Sequence, residues 1–174
     1  MQEKDIIKQI KNGDKEKFGE LVSKYQDALF TFIFYSVKDE GTAKDILQET
    51  FLKALKEIDT YKEEGKFKAW LWTIARNKVM DFYRKASKIV PLEEETLTEQ
   101  DETSKKALGK IELNHIRNLI EQLPSEQKEV ILMRQYLSFK EIASVLNCPL
   151  GTVLARLNRA IKKIQKSLGE DYAA

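Results

Sequence analysis

Apolar residues recur along this chain at intervals of three and four, and that spacing predicts helices nearly throughout. No period-two run is long enough to propose a strand, so the expected fold class is all-α. A short first helix should end near Asn12-Gly13, after which Asp14 can cap a long helix carrying Phe18, Leu21, Val22, Tyr25, Leu29, Phe32 and Ile33. A break over 38–41 precedes a helix predicted for 42–58. A polar loop then covers 59–66, and an aromatic-rich helix runs from Phe67 to about Lys85. A second set begins near Ala107 with Ile111, Ile116, Leu119 and Ile120. It pauses at Leu123-Pro124 and restarts under Ser125 with Val130, Ile131, Met133 and Leu137.

The stretch 138–166 is the most informative. Ser138 and Glu141 have capping-box spacing, and Phe139, Ile142, Ala143 and Leu146 follow at i, i+3, i+4 and i+7. Asn147, Cys148 and Pro149 stop that helix, and Gly151-Thr152 opens another. Projected at roughly 3.6 residues per turn, the second helix turns Val153, Leu157, Ala160, Ile161 and Ile164 inward. Thr152, Ala155, Arg159 and Lys162 take the opposite face, flanked by Arg156 and Leu154. Two short helices joined by a tight turn, the second carrying outward cations, form the helix-turn-helix pattern that sets one helix in the DNA major groove. A surface helix whose Lys162, Lys163 and Lys166 only complement its C-terminal dipole is the plainer reading. The capped first helix and the short turn favour DNA.

Two more faces exceed what a self-contained bundle needs. In 42–58 the apolar side gathers Ala43, Ile46, Leu47, Phe51, Ala54 and Ile58, while Asp45, Gln48, Glu49 and Lys56 surround Leu52 on the reverse. An apolar residue ringed by polar ones fits the rim of a protein interface, although lone exposed leucines are also ordinary surface features. The aromatic helix should bury Phe67, Leu71, Ile74, Ala75 and Phe82. Its outer side would then hold Trp72, Thr73, Arg76, Met80, Tyr83 and Arg84, with Asn77 beside them. Rings alternating with cations suit single-stranded DNA, where bases stack on aromatics and phosphates meet the positive charge. Half-burial of Trp72 and Tyr83 against neighbouring helices is the competing reading.

Composition then narrows the class. The chain has 174 residues, 42% of them hydrophobic and 33% charged, enough for one sizeable core or two small domains. A formal charge of +2 hides segregation, since 92–104 is acidic while 76–88 and 156–166 are basic. The acidic stretch follows Pro91 and carries almost no apolar stripe, so it reads as a linker between two bodies. With Cys148 the only cysteine and His115 the only histidine, a disulfide framework and a Cys/His zinc site are both excluded. A reducing, cytoplasmic setting fits. The N-terminal residues are too polar for a signal peptide, and no apolar run approaches membrane-spanning length. No nucleophile with its base, carboxylate pair or Gly-rich phosphate loop appears, so neither an enzyme, a cofactor nor a small-molecule substrate is expected.

From about Lys8 to Leu168 the chain resembles the extracytoplasmic-function (ECF) sigma factors of the sigma-70 family. The motifs that carry the likeness are AKDILQETFLKAL from Ala43, FKAWLWTIARN from Phe67 with KVMDFYRK after it, and LPSEQKEVILMRQYLSFKEIASVLNCPLGTVLARLNRA from Leu123. The resemblance implies a sigma-2-like domain over 1–88, a linker over 89–108 and a sigma-4-like domain over 109–174. It further implies docking of Asp45, Gln48, Glu49 and Leu52 on the β′ clamp helices of core RNA polymerase, with the β flap as a second contact. Tyr61, Lys62, Trp72, Arg76, Asn77, Tyr83 and Arg84 would bind and melt the −10 element, capturing a flipped base. Thr152, Leu154, Ala155, Arg156, Asn158, Arg159 and Lys162 would read the −35 element as duplex. The acidic linker would correspond to the connector that threads toward the RNA exit path, a solvated tether being the equally compatible reading. A cognate anti-sigma factor, often membrane-anchored, is the further partner the resemblance implies. One departure stands out: many family members carry a basic and then a small hydroxyl residue where this chain has Leu154-Ala155. Methyl contacts with thymine can replace a donor pair there. The alternative function is a helix-turn-helix repressor or activator acting without polymerase, and a helical adaptor is the third.

Overall fold

The first helices are drawn together by one apolar seam. In the computed structural model, which describes residues 2–62, 65–89 and 109–173, α1 (Glu3–Lys11), α2 (Phe18–Val37), α3 (Glu40–Glu57) and α4 (Phe67–Ile89) bury Ile10, Leu21, Leu29, Phe32, Ile33, Phe67 and Leu71 between them. Four more helices follow: α5 (Gly109–Glu121), α6 (Ser125–Arg134), α7 (Phe139–Leu146) and α8 (Leu150–Ala173). No strand occurs among the described residues. The acidic stretch 92–104 lies outside them.

Helix ends are set by local chemistry. Asp39, extended at φ −131°, accepts the Thr42 amide at 2.7 Å and starts α3 two residues before the sequence pattern indicated. Asp14 does not cap α2 as the sequence predicts: a turn of 3-10 helix (Lys15–Lys17) intervenes, and the Asp14 side chain makes no cap hydrogen bond. α4 continues four residues beyond Lys85, to Ile89.

The capping box of α7 is complete. Ser138 Oγ accepts the Glu141 amide at 3.2 Å while the Ser138 amide donates to the Glu141 carboxylate at 2.7 Å. Asn147 closes the helix in the left-handed region at φ 48°, where asparagine is tolerated better than most residues. Ser138→Ala should lower the stability of this half by about 1 kcal/mol, read as a shift in the urea unfolding curve. On α8, Val153 and Ala160 are buried as expected, whereas Ile161 is exposed. The projection carries Ile161 inward, but the helix runs past α5 to α7 without a neighbour covering that position.

The two helical sets are in contact. α7 lies on α4 and α6 reaches α2. The Trp72 and Tyr136 rings sit 6.1 Å apart, and the Arg76 guanidinium grips the Glu129 carboxylate at 2.5 and 3.3 Å. Lys38, at the end of α2, pairs with Glu121 at the end of α5, and Lys128 meets the same carboxylate at 2.5 Å. Burial pushes the Glu121 carboxyl up, but hydrogen bonds and charge from Lys128 and Lys38 outweigh it and hold the group below the usual carboxylate range. A depressed carboxylate contributes stability above its unfolded pKa and loses it as acid protonates the folded form, so the Glu121 contribution is lost on acidification.

Candidate polymerase and nucleic-acid interfaces

α3 presents the first interface. Its buried residues Ala43, Ile46, Thr50, Phe51 and Ala54 fix which way the reverse side points. Asp45, Gln48, Glu49 and Leu52 are all exposed there, Leu52 at 50%. Beside Leu52 is an apolar hollow of about 360 Å³ between α2 and α3, lined by Phe18, Val22, Leu47, Phe51 and Leu55. Glu49 bonds Lys78 of α4 at 2.8 Å, and that hydrogen bond holds its carboxyl below the usual range. The face is therefore an apolar notch rimmed by ordered charge, the form a protein contact takes.

The loop between α3 and α4 builds a second site. A cavity of about 390 Å³ opens there, lined by Thr60, Tyr61, Lys62, Lys66, Trp70 and Thr73, with Ser144 of α7 at its edge. Tyr61 is mostly buried. Its ring lies 5.0 Å from Trp70 and 5.5 Å from Phe67, and its hydroxyl accepts the Lys66 amide at 3.0 Å. Gly65, at φ +70°, supplies the left-handed turn that lets the loop fold back. Lys62 is exposed at the mouth. Trp70 was absent from the sequence-based site, and its signal was available: it stands one turn before Ile74 and three residues after Phe67, at the seam of the apolar stripe.

Trp72 is not on the outer face. It is 0% exposed, edge-on to Tyr25 at 5.9 Å and covered on its other side by Tyr136. A projection of one helix assumes a single buried side, but α4 is packed between α2 and α3 on one flank and α7 on the other. Arg76 is likewise held in its pair with Glu129, the two side chains 24% and 19% exposed. Asn77, Tyr83 and Arg84 do lie outside; the Tyr83 hydroxyl donates to the Ser36 carbonyl and Arg84 pairs with Asp81 at 3.0 Å.

The helix-turn-helix presents the third surface. Leu154, Asn158, Arg159 and Lys162 are exposed on α8, while Thr152 and Ala155 are partly covered. Arg156 is less available than its position indicates, because its guanidinium pairs with Glu126 at 3.2 Å and only 19% of its side chain is exposed. Leu154 thus projects to solvent from the outer side of α8. Among the described residues no group of three or more His, Cys, Asp or Glu could hold a metal, and no helix is long and apolar enough to cross a membrane.

Residues 21–89 match the family model for sigma-70 region 2, and residues 113–164 match that for sigma-70 region 4. A chain carrying both regions in this order is a sigma-70-type transcription initiation factor. The ECF RNA polymerase sigma factor SigW of Bacillus subtilis is 32% identical over 95% of this chain and 96% of its own. Two solved structures share the arrangement: CnrH in complex with the cytosolic domain of CnrY (TM-score 0.73, 25% identity, 97% of each chain) and the sigma factor RpoE in complex with the anti-sigma factor NepR from Bartonella quintana (TM-score 0.68, 25% identity, 88% of this chain and 98% of that one). The chain belongs to the extracytoplasmic-function group of the sigma-70 family.

Proposed function

We propose that this sigma factor docks on core RNA polymerase through the Leu52 notch, captures the non-template strand of the −10 element at the α3–α4 loop, and reads the −35 element with α8. The observation that carries the reading is the loop cavity beside Trp70 and Lys62, which a regulator of intact duplex has no use for. A ring at the wall and a cation at the mouth fit an unstacked base and its phosphate. Asn77, Tyr83 and Arg84 extend the contact along α4, and Trp72 supports it from beneath. Asp45, Gln48 and Glu49 complete the polymerase contact around Leu52, and the β flap meets the region 4 half. Thr152, Leu154, Ala155, Asn158, Arg159 and Lys162 face the duplex, with Leu154-Ala155 offering methyl contacts.

The domain limits that go with this reading are 1–88, 89–108 and 109–174. The likeness to RpoE in its complex with NepR supports control by an anti-sigma factor, which can hold the protein at the membrane from the cytoplasmic side. The chain catalyses no reaction of its own and takes no cofactor; chemistry belongs to the polymerase.

Trp70→Ala tests the strand site. With core polymerase and a promoter mapped from transcripts made in vitro, permanganate reactivity at the −10 thymines should fall about tenfold, in line with about 1–3 kcal/mol for one base-stacking ring. Co-elution with core should stay intact. Unchanged reactivity with normal transcription would remove the strand role from this cavity.

A further inference from the structure

The wall of the loop cavity is held from the first helix of the chain. α1 buries Ile6, Ile7 and Ile10, and Ile7 shares a small hollow with Tyr61 and Phe67, so Lys11, one turn beyond it, is aimed at the same loop. The Lys11 ammonium donates to the Tyr61 backbone carbonyl and lies 5.7 Å from the centre of the Tyr61 ring. Where α1 ends, the Asp14 amide donates to the Gln9 carbonyl and the Gly13 amide to the Ile10 carbonyl, both at 3.1 Å, with Gly13 in the left-handed region at φ +110°. That paired closure fixes the last turn of the helix. Just beyond it, Lys15 meets Asp59 at 3.1 Å.

Tyr61 is thereby fixed at each of its polar atoms. Its amide donates to the Glu57 carbonyl at the end of α3 at 3.2 Å, its hydroxyl accepts the Lys66 amide, and Lys11 takes the carbonyl that remains. That carbonyl belongs to the planar peptide leading into Lys62, so its direction sets where the Lys62 stem leaves the backbone. A bond from an ammonium is charge-assisted and roughly twice as strong as one between neutral groups. The Lys15–Asp59 pair, with side chains 46% and 61% exposed, contributes little by itself. Lys11 is the tie that matters.

Resting on the strand-binding reading above, we infer that Lys11 is a positioning residue for strand capture. Its bond to the Tyr61 carbonyl holds the Tyr61–Lys62 peptide in the orientation that keeps the ring in the cavity wall and the Lys62 cation at the mouth. Lys11 itself does not touch the strand. A loop ordered before the base arrives spares the cost of ordering it on binding. Losing the tie therefore weakens the hold on the unpaired strand, while polymerase docking and the fold stay as they were.

The test uses holoenzyme assembled from the full chain and core polymerase, with a fluorescein-labelled oligonucleotide carrying the −10 non-template strand of a promoter mapped from transcripts made in vitro. Anisotropy titrations at several salt concentrations give the affinity and its salt slope. Lys11→Met, which keeps the stem and removes the donor, should bind about fivefold more weakly at the parent's salt slope and melting temperature. Lys11→Arg, which retains a donor, should return to within about twofold of the parent. A slope smaller by about one in Lys11→Met would make Lys11 a phosphate contact and overturn the positioning role. A lowered melting temperature with unchanged affinity would make it merely structural. Added to Trp70→Ala, Lys11→Met should deepen the loss by less than about twofold, because both act through one cavity; fully multiplied losses would show that Lys11 acts elsewhere. Parental affinity in Lys11→Met beside a weakened Trp70→Ala overturns this inference alone. Parental affinity in Trp70→Ala removes the strand reading on which it rests.

Discussion

Trp72→Ala should strongly destabilise the first half of this protein. The side chain is fully buried between Tyr25 and Tyr136, and replacing a large core aromatic with alanine costs about 3–5 kcal/mol. Domains of this size hold about 5–15 kcal/mol in total, so the loss removes a large share of the margin. The expected result is a fall of roughly 10 °C or more in the melting temperature by circular dichroism. Trp72→Phe should lose far less, since it keeps a ring in place and removes the unpaired indole donor. An alanine variant melting with the parent would contradict the packing. A promoter-opening defect in Trp72→Ala therefore reports stability, and Trp70→Ala is the variant that reads strand contact.

Leu52→Asp should abolish binding to core polymerase while leaving the fold intact. Half of the Leu52 surface is exposed, so a polar replacement changes stability by no more than about 0.5 kcal/mol. At an interface the same change places a charge in an apolar notch, where truncations of central anchors alone cost about 2 kcal/mol or more. Co-elution with core polymerase on size exclusion should fall by at least about thirtyfold in affinity, with an unchanged melting curve. Undiminished co-elution would show that the notch is not the docking surface. Asp45 and Gln48, at the rim, should matter less, and the Asp45 contribution should weaken as ionic strength rises.

The helices were legible because their signals are local. The Ser138–Glu141 box, the left-handed Asn147 and the stripe through Ile142 and Leu146 each lie within one or two turns. The exposed Leu52 was legible for the same reason: α3 buries a single side, so one projection assigns the other. The outward placement of Trp72 and Arg76 fails because α4 buries two sides, the second against a partner more than fifty residues along the chain. The pairing of Arg156 escapes a single-helix projection because Glu126, its partner, lies on a different helix.

Local periodicity and caps, then, determined that this chain is all-α, with a helix-turn-helix near its end and an amphipathic helix bearing Leu52. Those features depend on spacing, and spacing is written in the sequence. The tertiary structure alone decided which aromatics are floor and which are wall, that Trp70 and not Trp72 lines the loop cavity, and that Glu129 already holds Arg76. Such outcomes depend on which surfaces meet across distant segments, and burial of apolar area has no direction that a single helix can record.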